Sequence, residues 1–129
     1  MSTAVLSRRP ASPSGLSLPA WAERVPALAA VALLPWLAVL AVGHETAWVV
    51  LDLLELAALL SLDALLRRRS PAAIRPALVV AVLLVGDALV DLGTAGPGHA
   101  ALAALTMAGC VELPLAALCV ALGRRAARA

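Results

Sequence analysis

Five acidic residues lie inside stretches of sequence that are otherwise almost entirely apolar. Two pairs are spaced by about one helical turn, Asp52 with Glu55 and Asp87 with Asp91, and Glu112 stands alone nearer the C-terminus. Residues three or four apart share one face of an α-helix, so each pair forms a local acidic patch. Carboxyl groups grouped in this way are typical of proton relays and of cation sites with oxygen ligands.

The composition of the chain indicates that these acids lie in a membrane. Of its 129 residues, 63% are hydrophobic and 14% are charged, and the mean hydropathy is +0.98. Soluble domains average about 45–50% apolar and about 25% charged residues. We therefore expect a multi-pass protein of the cell inner (plasma) membrane, surrounded by lipid bilayer. The net charge of +2 comes from arginines that flank the apolar stretches, and it indicates no binding of nucleic acid.

Four apolar segments are each long enough to cross a bilayer as a helix, at residues 26–42, 47–66, 76–92 and 101–122. The sequence thus predicts an all-α membrane protein, a four-transmembrane-helix bundle over residues 26–122. Residues 1–25, rich in Ser, Pro and Ala, are predicted to form a flexible cytoplasmic arm. Residues 123–129 are predicted to form a basic cytoplasmic tail.

The arginines predict the orientation of the bundle. All ten precede the first span, lie between the second and third, or follow the fourth. The other two connections, residues 43–46 and 93–100, contain no arginine. The positive-inside rule then places both termini and the middle connection in the cytoplasm. A four-span arrangement puts every arginine on that side.

Acidic side chains inside a bilayer must avoid lipid. An ionised Asp at the centre of a span costs about 2.5–3.5 kcal/mol even on the mildest scale. We therefore expect the five acids to face the bundle interior, where some take up protons or a cation neutralises them. Counted from the outer connections, Asp91 is the shallowest and Glu112 the deepest, near the midplane.

Further candidate residues lie near the ends of the spans. His44, Glu45 and His99 are candidate metal ligands at the outer mouth of the bundle. Asp63 precedes Arg67 by one turn, and we expect these two to form a structural ion pair. Four small residues are candidates for close contacts between helices, namely Gly86, Gly109, Ala57 and Ala58.

A repeated pattern relates the two halves of the sequence. In each half a Gly-His pair is followed by Glu-Leu and then by Arg-Arg, with the same number of residues between the Glu and the first Arg. The residues are Gly43-His44, Glu55-Leu56 and Arg67-Arg68, and then Gly98-His99, Glu112-Leu113 and Arg124-Arg125. This pattern suggests two similarly directed helical hairpins.

Three motifs resemble those of small, uncharacterised four-span bacterial membrane proteins with intramembrane Asp and Glu residues: WVVLDLLE (48–55), DALVDLGTA (87–95) and VELPLAA (111–117). The resemblance covers most of residues 45–120. It implies the four-helix bundle and the acids as one set, and it implies no activity. The chain departs from the pattern at Leu89 and Val90, where aromatic residues are expected between the two aspartates.

Three functional interpretations follow from the sequence. The first is cation or proton binding or transport at an outward-facing site, formed by Asp52, Glu55, Asp87, Asp91 and Glu112. The second is a membrane-embedded enzyme, with or without a metal, that acts on an apolar substrate. The third is an accessory or structural subunit of a membrane complex. The small size favours a homo-oligomer or a subunit, and a divalent cation is the cofactor that these ligands suggest.

Overall fold

The computed structural model describes residues 17–129, which form four helical rods and contain no strand. Helix α1 is Val25–Val42, α2 is Thr46–Arg67 and α3 is Ile74–Thr94. The fourth rod is composed of α4 (His99–Met107), a π-helical turn (Ala108–Glu112) and α5 (Leu113–Arg128). The prediction of an all-α protein is confirmed for these residues.

The helices extend slightly beyond the predicted spans at both ends of the chain. A short 3-10 helix, Ala20–Arg24, leads directly into α1, and a second one, Pro71–Ala73, precedes α3. The C-terminal residues that were predicted to form a tail continue α5 as far as Arg128. The first 16 residues of the predicted arm, with Arg8 and Arg9, lie outside the described residues.

Three of the rods are long and apolar enough to cross a membrane, namely Ala20–Val42, Pro71–Thr94 and His99–Arg128. Helix α2 has 22 residues but is less apolar, because it contains Asp52, Glu55 and Asp63. Leucine and valine side chains are exposed along the outside of every rod. Apolar surface of this extent is typical of contact with lipid, and we conclude that the chain is a membrane protein.

The apolar core lies in the half of the bundle that is nearer the arginines. Helix α3 packs most extensively against α5, α2 packs against α3, and α1 packs almost wholly against α2. The largest fully buried side chains in this core include Leu59, Leu62, Val80 and Leu122. The opposite half of the bundle contains the five acids.

The same helical face forms the core and turns two glutamates inward. In α2 and in the fourth rod, burial recurs at a glutamate and at the positions four and seven residues later. These are Glu55, Leu59 and Leu62 in α2, and Glu112, Ala116 and Cys119 in the fourth rod. Residues at this spacing lie on one helical face. The two predicted repeats therefore also bury side chains at equivalent positions.

The close contact between α3 and α5 depends on Gly123. A Cβ atom added at this glycine would lie 2.6 Å from the Cβ atom of Ala77 and 3.0 Å from the Cα atom of Ile74. Real Cβ atoms do not approach other atoms so closely. A larger residue at position 123 would therefore force the two helices apart.

The prediction that Gly86 and Gly109 support close helix contacts is wrong. A Cβ atom at either position would have nothing within 4 Å. Ala58 is buried, whereas Ala57 on the same helix is exposed. Close helix approach thus occurs at Gly123, which was not among the candidates.

The arginine-rich segments of the described residues meet at one end of the bundle. Arg125 contacts the segment before α1, with its Nη1 atom 3.7 Å from Glu23 Oε1 and 3.5 Å from the carbonyl oxygen of Leu18. Two short connections lie at the opposite end, with His44 and Gly98 in positive-φ conformations of 59° and 80°. The four rods are therefore antiparallel neighbours along the chain.

Candidate cation-binding site

Acids from three different segments converge in the half of the bundle away from the arginines. Asp52 and Glu55 on α2 are 4% and 3% exposed, and Glu112 at the end of the π turn is 5% exposed. Asp87 and Asp91 on α3 are half-buried. Full burial of three carboxyl groups is unusual, because acidic residues are almost never buried without a partner.

Asp87, Asp91 and Glu112 form a group that could hold a metal ion. One carboxylate oxygen from each residue lies within 4.8 Å of the other two. Oxygen ligands bind Ca²⁺ at about 2.3–2.6 Å, so two ligands of one ion can be up to about 5 Å apart. A single cation could therefore contact all three residues without a change in the backbone.

The charges of Asp52 and Glu55 interact with those of this group. Glu55 lies close enough to Asp87, Asp52 and Glu112 for their charges to interact, and Asp52 interacts in the same way with Asp91. Like charges at such distances repel strongly where water is excluded. We refer to the five residues together as the carboxylate cluster.

Three oxygens of the carboxylate cluster have no hydrogen-bond partner among the described residues. They are Asp52 Oδ2, Glu55 Oε1 and Glu112 Oε2, and all three are buried. The ion pairs within residues 17–129 are Arg67–Asp63 and Arg125–Glu23, neither of which includes the cluster. An unpartnered buried polar atom costs about 1–3 kcal/mol, and more if it is charged. A proton or a cation would supply the missing partner.

Pro114 explains why the fourth rod is interrupted next to Glu112. Proline has no backbone N–H, so the carbonyl group of Cys110 cannot receive the usual α-helical hydrogen bond from residue 114. The π turn Ala108–Glu112 directly precedes the helix that contains this proline near its start. A π turn accommodates one extra residue and is frequent at functional sites.

The interruption departs from the continuous helix that hydropathy predicts over residues 101–122. Pro114, together with Gly109 inside the turn, was the available signal. The extra residue rotates the side chains of α5 around the rod axis relative to those of α4. Ala104, Ala108 and Glu112, spaced by four residues on one face of the rod, are all buried.

An open cavity of about 340 Å³ adjoins the carboxylate cluster, between α1, α2 and α3. Its lining combines acidic with aromatic and aliphatic side chains, namely Trp36, Leu40, Glu45, Trp48, Asp52, Asp87 and Asp91. Trp36, Leu40 and Trp48 are not among the residues that the sequence predicts for the site. Their only signal was the position of the two tryptophans on either side of the connection at residues 43–46.

The remaining predicted site residues lie at the two ends of the bundle. His44 and His99 are exposed and lie outside the metal-compatible group, whereas Glu45 lines the cavity beside Asp52. Asp63 lies near the arginine end of α2, eight residues after Glu55, and accepts a hydrogen bond from Arg67 Nε at 2.8 Å.

Comparisons of this chain with protein-family models, with curated proteins and with solved structures find no match.

Proposed function

We propose that this protein binds a cation within the bacterial inner membrane and exchanges it for protons at the carboxylate cluster. The observation that carries this proposal is the set of three buried, unpartnered oxygens on Asp52, Glu55 and Glu112. They come from two separate rods and face the acids of a third. A bound positive species would satisfy them together.

Adhesion between helices is a weaker explanation for these acids. One hydrogen-bonded carboxyl pair would suffice to join two helices, and such contacts contribute only about 0.6 kcal/mol on average in a membrane. The cluster instead combines five acids and leaves buried oxygens without partners. An arrangement of this kind lowers stability unless a ligand compensates for it.

The ligand types favour a hard divalent cation such as Mg²⁺, Ca²⁺ or Mn²⁺. The metal-compatible group of Asp87, Asp91 and Glu112 offers carboxylate oxygens alone. Carboxylates and water suit these ions, whereas zinc and copper favour histidine or cysteine ligands. Protons compete with the cation because the same oxygens bind both.

We propose further that the site opens outward in a four-span topology with both termini in the cytoplasm. The cavity beside the cluster lies at the end with the arginine-free connections, which supports outward access. The apolar core formed by Leu59, Leu62, Val80 and Leu122 separates the cluster from the arginine end. Transport would require this core to open, and the small size of the bundle favours a homo-oligomer or a larger complex for that step.

The proposal is tested by titrating the purified protein in detergent with Mn²⁺ and measuring the heat of binding. We expect Asp87→Asn to weaken binding by at least about tenfold, since it removes a charged ligand. Asp63→Asn is the matched control, because it removes a carboxylate that is outside the cluster and already paired with Arg67. Absence of binding in the parent protein, or equal binding by both variants, would contradict the proposal.

A further inference from the structure

We propose that the cavity beside the carboxylate cluster binds an organic cation, either a quaternary ammonium or a protonated amine with an apolar body. Its volume of about 340 Å³ is within the usual range of small-molecule sites, about 300–1,000 Å³. The cavity shares Asp87 and Asp91 with the cluster. This inference therefore rests on the proposed function, since both need the cluster to accept positive charge.

The lining of the cavity combines two chemically different sets of side chains. Trp36 and Leu40 from α1 and Trp48 from α2 are aromatic or aliphatic, and the lining residues Asp52, Asp87 and Asp91 are acidic. The face of an indole ring attracts ammonium groups, and its area contacts apolar groups. A bare divalent ion would gain nothing from the aromatic and aliphatic side chains, because it binds through oxygen ligands and water.

Asp52 supplies the charge partner for the organic cation. The residue lines the cavity, is 4% exposed, and has an unpartnered buried Oδ2 atom. This oxygen is already buried without a hydrogen bond, and a neutral apolar ligand would leave it without a compensating charge. A cationic head group near Asp52, with its apolar part against Trp36 and Trp48, would match both the acidic and the aromatic side chains of the lining.

The packing of α1 gives such a ligand a route to the cavity. Helix α1 packs almost wholly on α2, so the cavity between α1 and α3 is not closed by a tight helix contact. Trp36 stands at this side and is 55% exposed. Amphipathic cations concentrate at membrane interfaces, and Glu45 at the cavity wall adds negative charge near the outer connection.

The test uses benzyltrimethylammonium as the probe and the intrinsic fluorescence of Trp36 and Trp48 as the readout. Trp21, in the short helix before α1, is replaced in all samples by Trp21→Phe to remove its signal. We expect a saturable fluorescence change with the ammonium probe and none with neopentylbenzene, its uncharged carbon analogue. We expect Asp52→Asn to weaken binding of the probe by at least about tenfold, and Asp63→Asn on the same helix to leave it unchanged.

Two more variants separate this inference from the proposed function. Glu112→Gln removes a residue of the metal-compatible group that does not line the cavity, so it should weaken Mn²⁺ binding by a larger factor than binding of the ammonium probe. Trp48→Leu changes a residue that lines the cavity but is outside the metal-compatible group, so it should weaken binding of the ammonium probe by a larger factor than binding of Mn²⁺. If Mn²⁺ binds but the ammonium probe does not, the cavity assignment is wrong and the proposed function stands. If the probe binds and Mn²⁺ does not, the cavity assignment stands without a metal site.

The neutral analogue keeps the test decisive if Asp52→Asn does not fold. Equal saturable binding of neopentylbenzene and benzyltrimethylammonium by the parent protein would show that charge plays no part, and would overturn the inference. Preference for the ammonium probe would support it without any variant.

Discussion

Asp87 on α3 and Glu112 in the π turn place carboxylate oxygens within 4.8 Å of each other, although both residues lie in apolar helical rods. Two ionised carboxylates this close repel each other strongly away from water, and a shared proton or a shared cation relieves that repulsion. Asp91 contributes a third oxygen within 4.8 Å of the other two.

Glu55→Gln should stabilise the protein when no cation is present. Glu55 is 3% exposed and its Oε1 atom has no partner, so the glutamate must either hold a proton or remain charged away from water. We expect the free energy of unfolding in detergent with a chelator to rise by about 1 kcal/mol. Excess Mn²⁺ should reverse the order of the two proteins, because it stabilises the parent more than the variant. Thermal unfolding with and without Mn²⁺ provides the measurement.

Glu23→Gln is the control for this comparison. Glu23 is 55% exposed in its side chain and lies 3.7 Å from Arg125, so its loss should have little effect in either condition. A marked loss of stability in Glu55→Gln without Mn²⁺ would indicate instead that Glu55 makes a structural hydrogen bond.

Gly123→Ala should destabilise the contact between α3 and α5. The new Cβ atom would overlap the Cβ atom of Ala77 at 2.6 Å, and the nearby Cα atom of Ile74 limits any adjustment. We expect a loss of about 1–3 kcal/mol in the free energy of unfolding. Gly86→Ala is the matched control, because its Cβ atom would have nothing within 4 Å, and alanine favours a helix by up to about 1 kcal/mol. Equal effects of the two substitutions on the free energy of unfolding would contradict the close contact between α3 and α5.

The sequence was sufficient to predict features that depend on hydropathy and local spacing. The four helices followed from the lengths of the apolar segments, and the i, i+3 and i, i+4 spacings placed each acidic pair on one helical face. The convergence of those faces required the packing of whole helices. The structure brings Glu112 next to Asp87, although 25 positions separate them in the chain.

The features that were not predicted have a common physical cause. In a membrane protein, leucines and alanines that face lipid are as apolar as those in the core, so hydropathy does not show which face is buried. For this reason the close contact at Gly123 could not be distinguished from open positions such as Gly86 and Gly109. For the same reason hydropathy did not show that Trp36 and Trp48 line a common cavity.

Cysteine labelling tests the proposed orientation. In a background with Cys110→Ser and Cys119→Ala, a cysteine is introduced at Gly96 in one variant and at Ala127 in another; both positions are exposed. We expect a membrane-impermeant maleimide to label Gly96→Cys in intact cells. The Ala127→Cys variant should react only after the membrane is opened. Position 127 lies at the arginine-rich end of the bundle, which the positive-inside rule places in the cytoplasm. Labelling of both variants in intact cells would contradict the topology.

Pro114→Ala should weaken cation binding more than it affects folding. The substitution restores a backbone N–H that can bond to the carbonyl group of Cys110, and it thereby favours a regular α-helix through Ala108–Glu112. Loss of the π turn would rotate this part of the rod about its axis and would move Glu112 relative to Asp87. We expect a loss of Mn²⁺ affinity of about tenfold, measured by calorimetry, with helix content unchanged by circular dichroism. Unchanged affinity would show that the π turn does not position the site.

The most direct test of the carboxylate cluster is the number of protons released when Mn²⁺ binds. Calorimetry near neutral pH, repeated in buffers with different ionisation enthalpies, gives this number for the parent and for Glu112→Gln. We predict that the parent releases about one proton or more per bound ion, because buried acids that share protons must give them up to the metal. The Glu112→Gln variant should bind more weakly and release fewer protons. Binding without proton release, or identical behaviour of the two proteins, would contradict the account.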